Sequence, residues 1–406
     1  MKEDKKVPQL RFPEFTDAWK QRKVGDLLVE RREMVTEDNE YPLMAFIANE
    51  GVAPKGDRFD RSALVKNADS KKYKRTKYGD FIYSSNNLES GSIGLNKYGK
   101  ASISPVYSIF YPTNLADSDF IGRYFLRKDF IGQMIRWRQG VVYGQWKIPE
   151  ADFLNIDIYI PSKDEQEKIG QILDKVDNTI TLQQRKLNSL QKLKKGLLQK
   201  MFPKNGENIP EIRFPEFSDA WKQRELKEVV NFSRGQGLPW ADVDDLNGQF
   251  ECILYGNLYT DYGTIIQNIK HKTNTDLKVK SKGNEVLIPG SDTTPTGLAR
   301  ALFLEKENVI LGGDINILSV KHDDGPFLAY ELNKLKKELI IRIKGTTVKH
   351  LQNNDLKDIV VSLPSLEEQR KISSLFSRLD NTITLQQRKL ESLQKLKKGL
   401  LQQMFI

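Results

Sequence analysis

Two internal repeats constrain the fold of this chain more than any other feature of its sequence. The segment Asp177–Phe202 returns as Asp380–Phe405 with only two changes in 26 positions. The shorter segment Arg11–Arg22, RFPEFTDAWKQR, returns as Arg213–Arg224 with a single change. The stretches between the repeats share no such identity. Repetition at half the chain length predicts two structurally equivalent halves, so we expect a duplicated scaffold that carries two different middle domains.

The longer repeat is predicted to form a helix in both copies. Ser162 to Glu165 and Ser365 to Glu368 fit the S-x-x-E capping box, each just after a proline. No proline interrupts either copy, and the first copy stops at Pro203. Each helix should therefore contain about 37 to 40 residues and extend about 55 to 60 Å at ~1.5 Å per residue.

Apolar residues spaced alternately by four and three positions predict a coiled-coil seam along both helices. The seam residues of the first copy are Ile169, Leu173, Val176, Ile180, Gln183, Leu187, Leu190 and Leu197, and those of the second copy are Ile372, Phe376, Leu379, Ile383, Gln386, Leu390, Leu393 and Leu400. Lys194 and Lys397 occupy one seam position each. Each helix is thus expected to pack against another helix.

The partner of each helix could be a second chain, in a homodimeric coiled coil, or the other copy in the same chain. Two linked copies have a high effective concentration for each other, which favours pairing within the chain. The second middle domain begins where the first helix ends and finishes where the second begins, so we expect an antiparallel pair. A buried pair of Gln183 and Gln386 would set its register and bring Ile169 near Leu400.

Each middle domain is predicted to be mixed α/β. In the first, Gly79–Pro112 alternates aromatic and β-branched runs with Gly and Asn turns, and Asp117–Gly140 has helical spacing. In the second, Gly283–Leu304 reads as strands and Gly325–Gly345 as a helix. The predicted boundaries are 1–160 for the first domain, 161–203 for the first long helix, 204–363 for the second domain and 364–406 for the second long helix.

The charge balance favours a polyanionic partner. The net charge is +10 and the pI is about 9.2, and basic surfaces bind nucleic acid through phosphate neutralisation. The sequence contains no run of eighteen apolar residues, which a membrane-spanning helix would need. Its first residues, MKEDKKVPQL, lack the apolar stretch of a secretory signal. A single cysteine, Cys252, excludes a disulfide framework. We therefore expect a cytoplasmic protein.

Candidate DNA contacts are basic and amide side chains, because Arg and Lys can bind guanine or phosphate and Asn and Gln can bind adenine. A basic run and the stretches after Gly140 and Gly345 supply most of them, since those stretches occupy matching positions in the two domains. The candidates are Lys71, Lys72, Lys74, Arg75, Lys77, Asn86, Asn87, Arg136, Arg138, Gln139, Gln145 and Lys147 in the first domain, and Arg300, Lys344, Thr346, Thr347, Lys349 and His350 in the second.

The sequence offers no catalytic site. Gly94–Ala101 matches the first half of a P-loop, but Ala101 lacks the hydroxyl that would hold Mg²⁺, and we interpret the segment as the turn of a hairpin. One cysteine and three histidines cannot form a Cys-rich zinc site. No Asn or Asp precedes Pro-Pro and an aromatic residue, the signature of amino-methyltransferases. We expect a non-catalytic chain with no catalytic, cofactor or metal site.

Two divergent middle domains, two near-identical helices and the helix-opening sequences PSKDEQEKI at Pro161–Ile169 and PSLEEQRKI at Pro364–Ile372 make the chain resemble the specificity subunit of type I restriction-modification systems. The resemblance covers nearly the whole length. It implies an α+β fold in which two mixed α/β target recognition domains are separated by an antiparallel pair of long coiled-coil helices in a pseudo-twofold repeat. Each domain would read one half of a bipartite, asymmetric DNA site.

The resemblance also implies partners. They are double-stranded DNA, two modification (methyltransferase) subunits that would hold S-adenosylmethionine, and restriction (translocase and endonuclease) subunits that would use ATP and Mg²⁺. The helices would set the spacing between half-sites and help dock the modification subunits. Two alternatives remain open: a stand-alone DNA-binding regulator or architectural protein with two recognition domains, and a coiled-coil scaffold that contacts no DNA.

Overall fold

The chain folds into two compact units, each containing one middle domain and parts of both long helices. The computed structural model describes residues 6–36, 38–54, 72–141, 145–204 and 206–406. The first unit contains Met1–Leu182 and Leu390–Ile406, and the second contains Gln183–Lys389. Both mix helices and sheets, as the predicted α+β fold requires. Among the described helices, none is long and apolar enough to cross a membrane.

The middle domain of the first unit is built mainly from short strands. Its strands are β1 (Lys20–Lys23), β2 (Leu28–Glu30), β3 (Met34–Val35), β4 (Met44–Ile47), β5 (Gly51–Pro54), β6 (Tyr73–Thr76), β7 (Phe81–Tyr83), β8 (Ile93–Leu95), β9 (Ala101–Ile103), β10 (Ser108–Pro112), β11 (Gln139–Val141), β12 (Gln145–Lys147) and β13 (Asp157–Ile160). Its helices are α1 (Val24–Leu27), α2 (Ser118–Phe125), α3 (Lys128–Arg136) and α4 (Glu150–Leu154), followed by the long α5 (Lys163–Lys200).

An antiparallel sheet in the order β2-β10-β7-β8 forms the centre of this domain. Phe81 of β7 and Phe110 of β10 pack against Phe153 of α4, and Phe81 also contacts Phe125 of α2. A second sheet, β3-β6-β9, and the hairpin β4–β5 enclose a smaller apolar core. The central sheet therefore fixes where β7 and β10 end, and these ends position the sites described below.

The second unit repeats this plan with longer strands. Its strands are β14 (Lys222–Glu225), β15 (Val230–Arg234), β16 (Phe250–Ile253), β17 (Ile265–Ile266), β18 (His271–Thr273), β19 (Lys280–Lys282), β20 (Glu285–Pro289), β21 (Ser291–Asp292), β22 (Leu302–Leu304), β23 (Glu307–Leu311), β24 (Ile315–Val320), β25 (Lys349–His350) and β26 (Val360–Leu363). Its helices are α6 (Leu226–Val229), α7 (Asn257–Thr260), α8 (Pro295–Leu298), α9 (Gly325–Lys334), α10 (Lys336–Ile341) and α11 (Asn353–Leu356), and the long α12 (Leu366–Gln403) begins here.

The main sheet of the second unit has the order β15-β24-β20-β22-β17, and a second sheet has the order β18-β16-β23-β19. Val286 of β20 and Leu318 of β24 share a core with Phe327 of α9 and Phe376 of α12. Strand β20 lies between the antiparallel strands β24 and β22, as β7 lies between the antiparallel strands β10 and β8 in the first unit. The two domains thus share a central arrangement despite their different sequences.

The long helices α5 and α12 have 38 residues each, within the predicted length, and extend about 57 Å. In the first unit, Ile169 near the start of α5 shares a core with Phe405 just after the end of α12. In the second unit, Phe202 just after the end of α5 shares a core with Ile372 near the start of α12. The pairing is therefore antiparallel in both units, which confirms the arrangement predicted from chain order.

All sixteen predicted seam residues are buried or half-buried. Leu400 packs against the core that contains Ile169, in agreement with the predicted register. The amide oxygens of Gln183 and Gln386 are buried, however, and have no hydrogen-bond partner among the described residues. The proposal that this pair sets the register therefore stays a prediction.

The two lysines at seam positions form ion pairs across the helix pair. In the first unit, the Lys397 ammonium lies 2.7 Å from the Asp177 carboxylate. In the second unit, Lys194 pairs with Asp380 in the same way. The repeat thus places one lysine of each helix beside an aspartate of the other, and these contacts add polar links to an apolar seam.

The start of α5 is attached to its domain by two side chains that the repeats provide. The buried Glu165 carboxylate accepts two hydrogen bonds of 2.7 Å from the Arg11 guanidinium. The neighbouring Gln166 accepts a bond from the backbone N–H of Asp117, the N-cap residue of α2, and donates to the Leu115 carbonyl. We call this arrangement the helix anchor. It explains why the RFPEF segment and the helix-opening sequence occur together.

The second unit contains the same helix anchor. Arg213 donates two bonds of 2.7 Å to Glu368, and Gln369 accepts from the backbone N–H of Asp324, the N-cap residue of α9. The predicted capping box is therefore only half correct. Ser365 accepts from the Glu368 N–H, as expected, but the glutamate side chain binds arginine, because two parallel bonds between opposite charges are stronger than a single bond to a backbone N–H.

Three other expectations about local structure were wrong. The helix predicted over Asp117–Gly140 is two helices, because Arg127 adopts an extended conformation that lets Phe130 stack on Phe125 with ring centroids 4.2 Å apart. The helix predicted up to Gly345 is likewise interrupted at Leu335. The P-loop-like segment connects β8 to β9, but these strands belong to different sheets, so it is not a hairpin turn.

Candidate nucleic-acid interface

In the first unit, a loop and a hairpin form one surface at the end of β7. The loop Ser84–Ser92 follows β7, and β11 pairs with β12 to form the hairpin. The Asn86 amide oxygen accepts a bond of 2.6 Å from the Trp146 N–H, and Ser85 accepts one of 3.0 Å from the Ile148 N–H. These contacts join residues that are 60 and 63 positions apart along the chain.

This loop–hairpin face contains most of the candidate contacts of the first domain. Asn87, Arg136, Gln139, Gln145 and Lys147 have exposed side chains there. Gln139 donates to Asp152, and the Lys147 ammonium lies 3.7 Å from Glu150. Asn86 uses its amide oxygen to hold the hairpin and is in that respect structural. The side chains of Asn87, Arg136 and Gln145 have no hydrogen bond or ion pair with any described residue and are available to a ligand.

Arg138 is the least satisfied polar side chain on this face. One of its terminal nitrogens, Nη1, donates to Glu89 at 2.8 Å. Its Nε and Nη2 atoms are buried and have no hydrogen-bond partner among the described residues, and only 11% of its side chain is exposed. Buried donors without acceptors are costly, so the local structure holds this guanidinium at a cost, and a ligand could complete its hydrogen bonds only after the surrounding segments move apart.

Sequence reasoning missed two aromatic side chains beside Arg138. Trp137 and Trp146 are 40% and 49% exposed, which is high for residues of this size. Exposed aromatic rings next to basic and amide groups can pack on sugars or bases. The signal in the sequence was the pattern Arg-Trp-Arg-Gln at Arg136–Gln139 and the Gln-Trp-Lys that forms β12.

The second unit has an equivalent face at the end of β20, built from different residues. Strand β21, just after β20, pairs with β25. The Ser291 hydroxyl lies 3.1 Å from Nδ1 of His350, and the Leu351 N–H donates to the Gly290 carbonyl. Ser291 thus links the end of β20 to β25, as Ser85 and Asn86 link the loop after β7 to the segment 146–148.

The turn 344–350 presents the candidates of the second domain. Backbone bonds in both directions join Lys344 and His350, and Thr346 and Thr347 are exposed between them. Gly345 makes this turn possible: its φ is +102°, and a Cβ there would lie 2.2 Å from the Val348 carbonyl oxygen. Lys349 donates to the Gly345 carbonyl at 2.7 Å, and Lys344 pairs with Asp355.

Several other candidates lie elsewhere or are already engaged. Arg300 donates bonds of 3.0 Å to the carbonyls of Tyr259 and Tyr262, and desolvation by burial lowers its pKa. In β6, Lys74 donates to a backbone carbonyl and Arg75 pairs with two carboxylates of the same unit.

Lys72 and Lys77 beside β6 are exposed, and Lys71 lies outside the described residues. The structure therefore brings together the candidates near the ends of β7 and β20, whereas Lys74, Arg75 and Arg300 are engaged by groups of their own unit.

The described part of the chain contains no cluster of three His, Cys, Asp or Glu side chains that could hold a metal ion. Cys252 is buried, and burial raises its thiol pKa to about 11. A thiol with so high a pKa is poorly suited to nucleophilic attack. The chemistry of the two faces is hydrogen bonding and charge, which suits binding.

The family model for the type I restriction modification DNA specificity domain matches residues 16–192 and 218–395. The type I restriction enzyme MjaVIII specificity subunit of Methanocaldococcus jannaschii is 26% identical over 282 residues, which cover 63% of each chain. The putative MjaX specificity subunit of the same organism is 27% identical over 264 residues, covering 63% of this chain and 60% of the relative. The chain thus spans somewhat less than two thirds of these relatives.

A crystal structure of the type I restriction-modification S subunit from M. genitalium is similar over 98% of this chain and 99% of that one. The TM-score is 0.63 and the identity 16%, so this likeness concerns the fold. The family model matches both halves of the chain, in agreement with the two repeats and the two equivalent faces. The chain belongs to the family of type I restriction-modification DNA specificity domains.

Proposed function

We propose that this chain is the DNA-recognition subunit of a type I restriction-modification complex, with each middle domain reading one half of a bipartite, asymmetric site. The observation that carries the proposal is the pair of equivalent faces built from different residues. Asn87, Arg138 and Gln145 on one face and Thr346, Thr347 and His350 on the other offer different hydrogen-bonding groups at corresponding places. Different groups at one docking position are what two different half-sites require.

The domain assignment proposed for this function follows the sequence. Residues 1–160 and 204–363 would be the target recognition domains, and residues 161–203 and 364–406 the spacer helices. The antiparallel pairing within each unit and the length of α5 and α12 support a fixed spacing between the two reading heads. The spacing would demand an unread gap on the scale of one to two turns of the DNA duplex.

The partners proposed for the helices are two modification subunits. Leu182 and Leu385 are 64% and 63% exposed, and Leu193 and Leu396 are both 50% exposed. These leucines occupy repeated positions in sequences that are otherwise almost identical. Two like apolar surfaces suit two copies of one partner. The modification subunits would bind S-adenosylmethionine, and restriction subunits would supply ATP-driven translocation and cleavage, so this chain would act without a catalytic site of its own.

The test is single-molecule sequencing of methylated adenine in a host that expresses this chain with a matching modification subunit. A bipartite motif that appears only when both proteins are present is the expected result, and it would identify both half-sites. Exchanging residues 136–147 for those of a relative should then alter one half-site only. If folded chain and active modification subunit produced no new motif, the proposal would fail in favour of a stand-alone regulator.

A further inference from the structure

Each unit contains a pocket, lined by the shorter repeat, that the proposed function does not use. In the first unit, a cavity of about 260 Å³ lies between the RFPEF segment, β1 and the residues that open α5. In the second unit, a cavity of about 380 Å³ is lined by the repeated counterparts of those residues. We call these the two repeat pockets. Their lining is nearly the same although the domains around them differ.

One residue in the wall of each pocket, an arginine, belongs to the helix anchor. Arg11 and Arg213 line the pockets and bind the buried glutamates Glu165 and Glu368. These contacts account for the arginines by stability alone, because an unpaired buried carboxylate would be costly. They do not account for the repetition of exposed residues.

The exposed charges of the pockets are unbalanced. Lys20 and Arg22 of β1 line the first pocket, and Lys222 and Arg224 of β14 line the second. All four are exposed, and none forms an ion pair or a side-chain hydrogen bond with any residue that the structure describes. In contrast, the pocket acids Glu14 and Glu216 are paired with Lys168 and Lys371.

In the first pocket, Asp17 is the acid without a side-chain partner among the described residues, and Lys163 is a further exposed cation. In the second pocket, Asp219 lacks such a partner, and Asp323 accepts a hydrogen bond from the Gln369 amide. Among the described residues, unpaired cations therefore outnumber unpaired carboxylates on each pocket wall, more so in the first pocket than in the second, and charge complementarity favours an anionic ligand.

The repeat pockets lie at the end of each domain opposite the candidate DNA face. Strand β10 runs antiparallel to β7, so Leu115, which lines the first pocket beyond the end of β10, is at the far end of the sheet from Ser84. In the second unit, β24 runs antiparallel to β20, and His322 and Asp323 line the pocket beyond the end of β24. DNA held on the reading faces would therefore not reach these pockets.

The apolar part of the lining also favours a peptide over a phosphate backbone. Phe15, Ile160 and Pro161 line the first pocket, and Phe217, Leu363 and Pro364 line the second. A concave site with apolar walls and a few convergent charges suits a side chain of a short peptide. The walls also include Ser162 and Ser365, the residues just before the long helices begin.

We propose that each repeat pocket binds a short acidic segment of a modification subunit, one segment per pocket. Carboxylates of the segment would bind Lys20 and Arg22 in one pocket and Lys222 and Arg224 in the other, while an apolar side chain enters beside the phenylalanine. Nearly identical pockets fit two copies of the same segment. The inference rests on the proposed function only in taking the partner to be a modification subunit present in two copies.

Photo-crosslinking tests the occupant directly. p-Benzoylphenylalanine is placed at Thr16 or at Ser218 of the full chain, which is then co-expressed with the modification subunit. We expect both positions to cross-link to one acidic segment of that subunit, identified by mass spectrometry. The matched control is the same probe at the exposed Lys278, far along the chain from either pocket. Cross-links to DNA only, or no more cross-linking than at Lys278, would overturn the proposal.

Charge reversal tests the chemistry. The double variants Lys20→Glu with Arg22→Glu and Lys222→Glu with Arg224→Glu are each expected to lower the affinity for one copy of the modification subunit at least tenfold. Native mass spectrometry should then detect complexes with one copy in place of two. The exchange Lys20→Arg with Arg22→Lys keeps the charge and should keep the affinity. Unchanged affinity in folded reversal variants would refute the inference.

The two proposals fail in different ways. If the wild-type chain directs no bipartite adenine methylation, the proposed function fails. If the wild-type chain directs methylation but the charge-reversed variants bind the modification subunit as tightly as the wild type does, only the pocket inference fails.

Discussion

Arg138 and Arg300 are identical side chains in opposite settings. Arg138 has two buried nitrogens without hydrogen-bond partners among the described residues and lies on the loop–hairpin face, which also carries two exposed tryptophans. Arg300 donates to two backbone carbonyls inside the second unit. A guanidinium with unused donors can bind guanine or phosphate, whereas one whose donors are used inside the fold stabilises that fold. The two residues therefore predict separable effects.

Arg138→Ala should weaken binding of the target DNA by about 1–3 kcal/mol and relax specificity in one half-site. Its effect on stability should be small, since it removes buried donors that lack partners. Arg300→Ala is the matched control and should lower the free energy of unfolding by about 1–3 kcal/mol without changing the motif read. Thermal unfolding and a methylation-motif assay measure the two effects. An Arg300→Ala variant that is as stable as the wild type but no longer directs methylation to the motif would contradict the structural role of Arg300.

Glu331 carries a burial cost that the fold leaves partly uncompensated. Its side chain is 1% exposed, and one carboxylate oxygen accepts from the Ser362 N–H. The other oxygen has no hydrogen-bond partner among the described residues, and the Lys334 ammonium lies 4.0 Å away. Desolvation by burial raises the pKa of this carboxyl above its ordinary value of 4.5. Ionisation is thus easier in the unfolded chain than in the folded one.

Glu331→Gln should therefore stabilise the second unit at neutral pH by about 1 kcal/mol or more. A carboxyl whose pKa is raised by folding favours the folded state at low pH, and this contribution is lost as the pH rises through the folded pKa. The stability gain of the variant should thus grow as the pH rises above 4.5. Thermal unfolding between pH 4 and pH 8 measures it. An equal gain at every pH would argue against a charged Glu331.

At the residue scale, the sequence could indicate which stretches lie on the two faces but not which side chains are free of partners. The repeats and turn positions predicted the regions after Gly140 and Gly345, and both regions lie on the two faces. Arg75 and Arg300 were indistinguishable from Arg138 by type and local spacing. Their partners, such as Asp38 and the Tyr259 carbonyl, come from distant parts of the chain, and no local pattern records them.

The same Asp–Lys ion pair occurs in both units, but each aspartate also contacts a different side chain of the adjoining middle domain. Asp177 accepts from Lys397 and also from Arg123 of the first domain. Asp380 pairs with Lys194 and accepts from the Tyr330 hydroxyl of the second domain. Burial opposes ionisation of Asp177, but the bonds from Lys397 and Arg123 outweigh it and leave its pKa below the ordinary value. Divergent domains thus change the strength of an identical helix contact.

Asp177→Asn should destabilise its unit more than Asp380→Asn destabilises the other, because two ion pairs are lost in the first case and one in the second, although Arg123 keeps its pair with Asp174. Partial exposure limits the difference to about 1 kcal/mol, and it should shrink in 0.5 M salt. Since folding lowers its pKa, Asp177 contributes stability above pH 3.8 and loses it as the pH falls through the folded value. Hydrogen exchange of each unit checks the order, and a reversed order would contradict it.

Helices were predictable at this scale because their signals are local, whereas breaks and strand partners were not. The ends of α5 and α12 follow from serine caps and a proline, and the seam follows from periodicity. The break between α2 and α3 depends on the stacking of Phe130 on Phe125 inside the domain core. The separation of β8 and β9 into different sheets depends on which distant strands they pair with.

For the whole molecule, the proposed function predicts that the length of α5 and α12 sets the length of the unread gap between the half-sites. Residues of both units lie on one continuous helix, α5. Inserting four residues at matching points of α5 and α12 should lengthen each by about 6 Å, and a four-residue insertion disturbs a coiled coil only locally. The unread gap in the methylated motif should grow by about one to two base pairs at ~3.4 Å per pair, with both half-sites unchanged.

Methylation-motif sequencing of this variant measures the gap. The control inserts four residues into α12 only. This insertion should misalign Asp177 with Lys397 and lower the methylation activity of the complex. An unchanged gap after the double insertion, with a folded and active complex, would show that the helices do not set the spacing.

The helix anchors and the reading faces lie at opposite ends of each domain's central sheet, and this separation has a consequence for how new specificities arise. Substitutions in the loop after β7 or in the turn before β25 leave the contacts of Arg11 and Arg213 untouched. A recombining population could therefore replace an entire domain and retain its mounting, provided the incoming sequence offers an N-cap amide for Gln166 or Gln369. Selection on the DNA sequence recognised would then act on the residues of the faces, and selection on the attachment of each domain to the helices would act on a nearly separate set of residues.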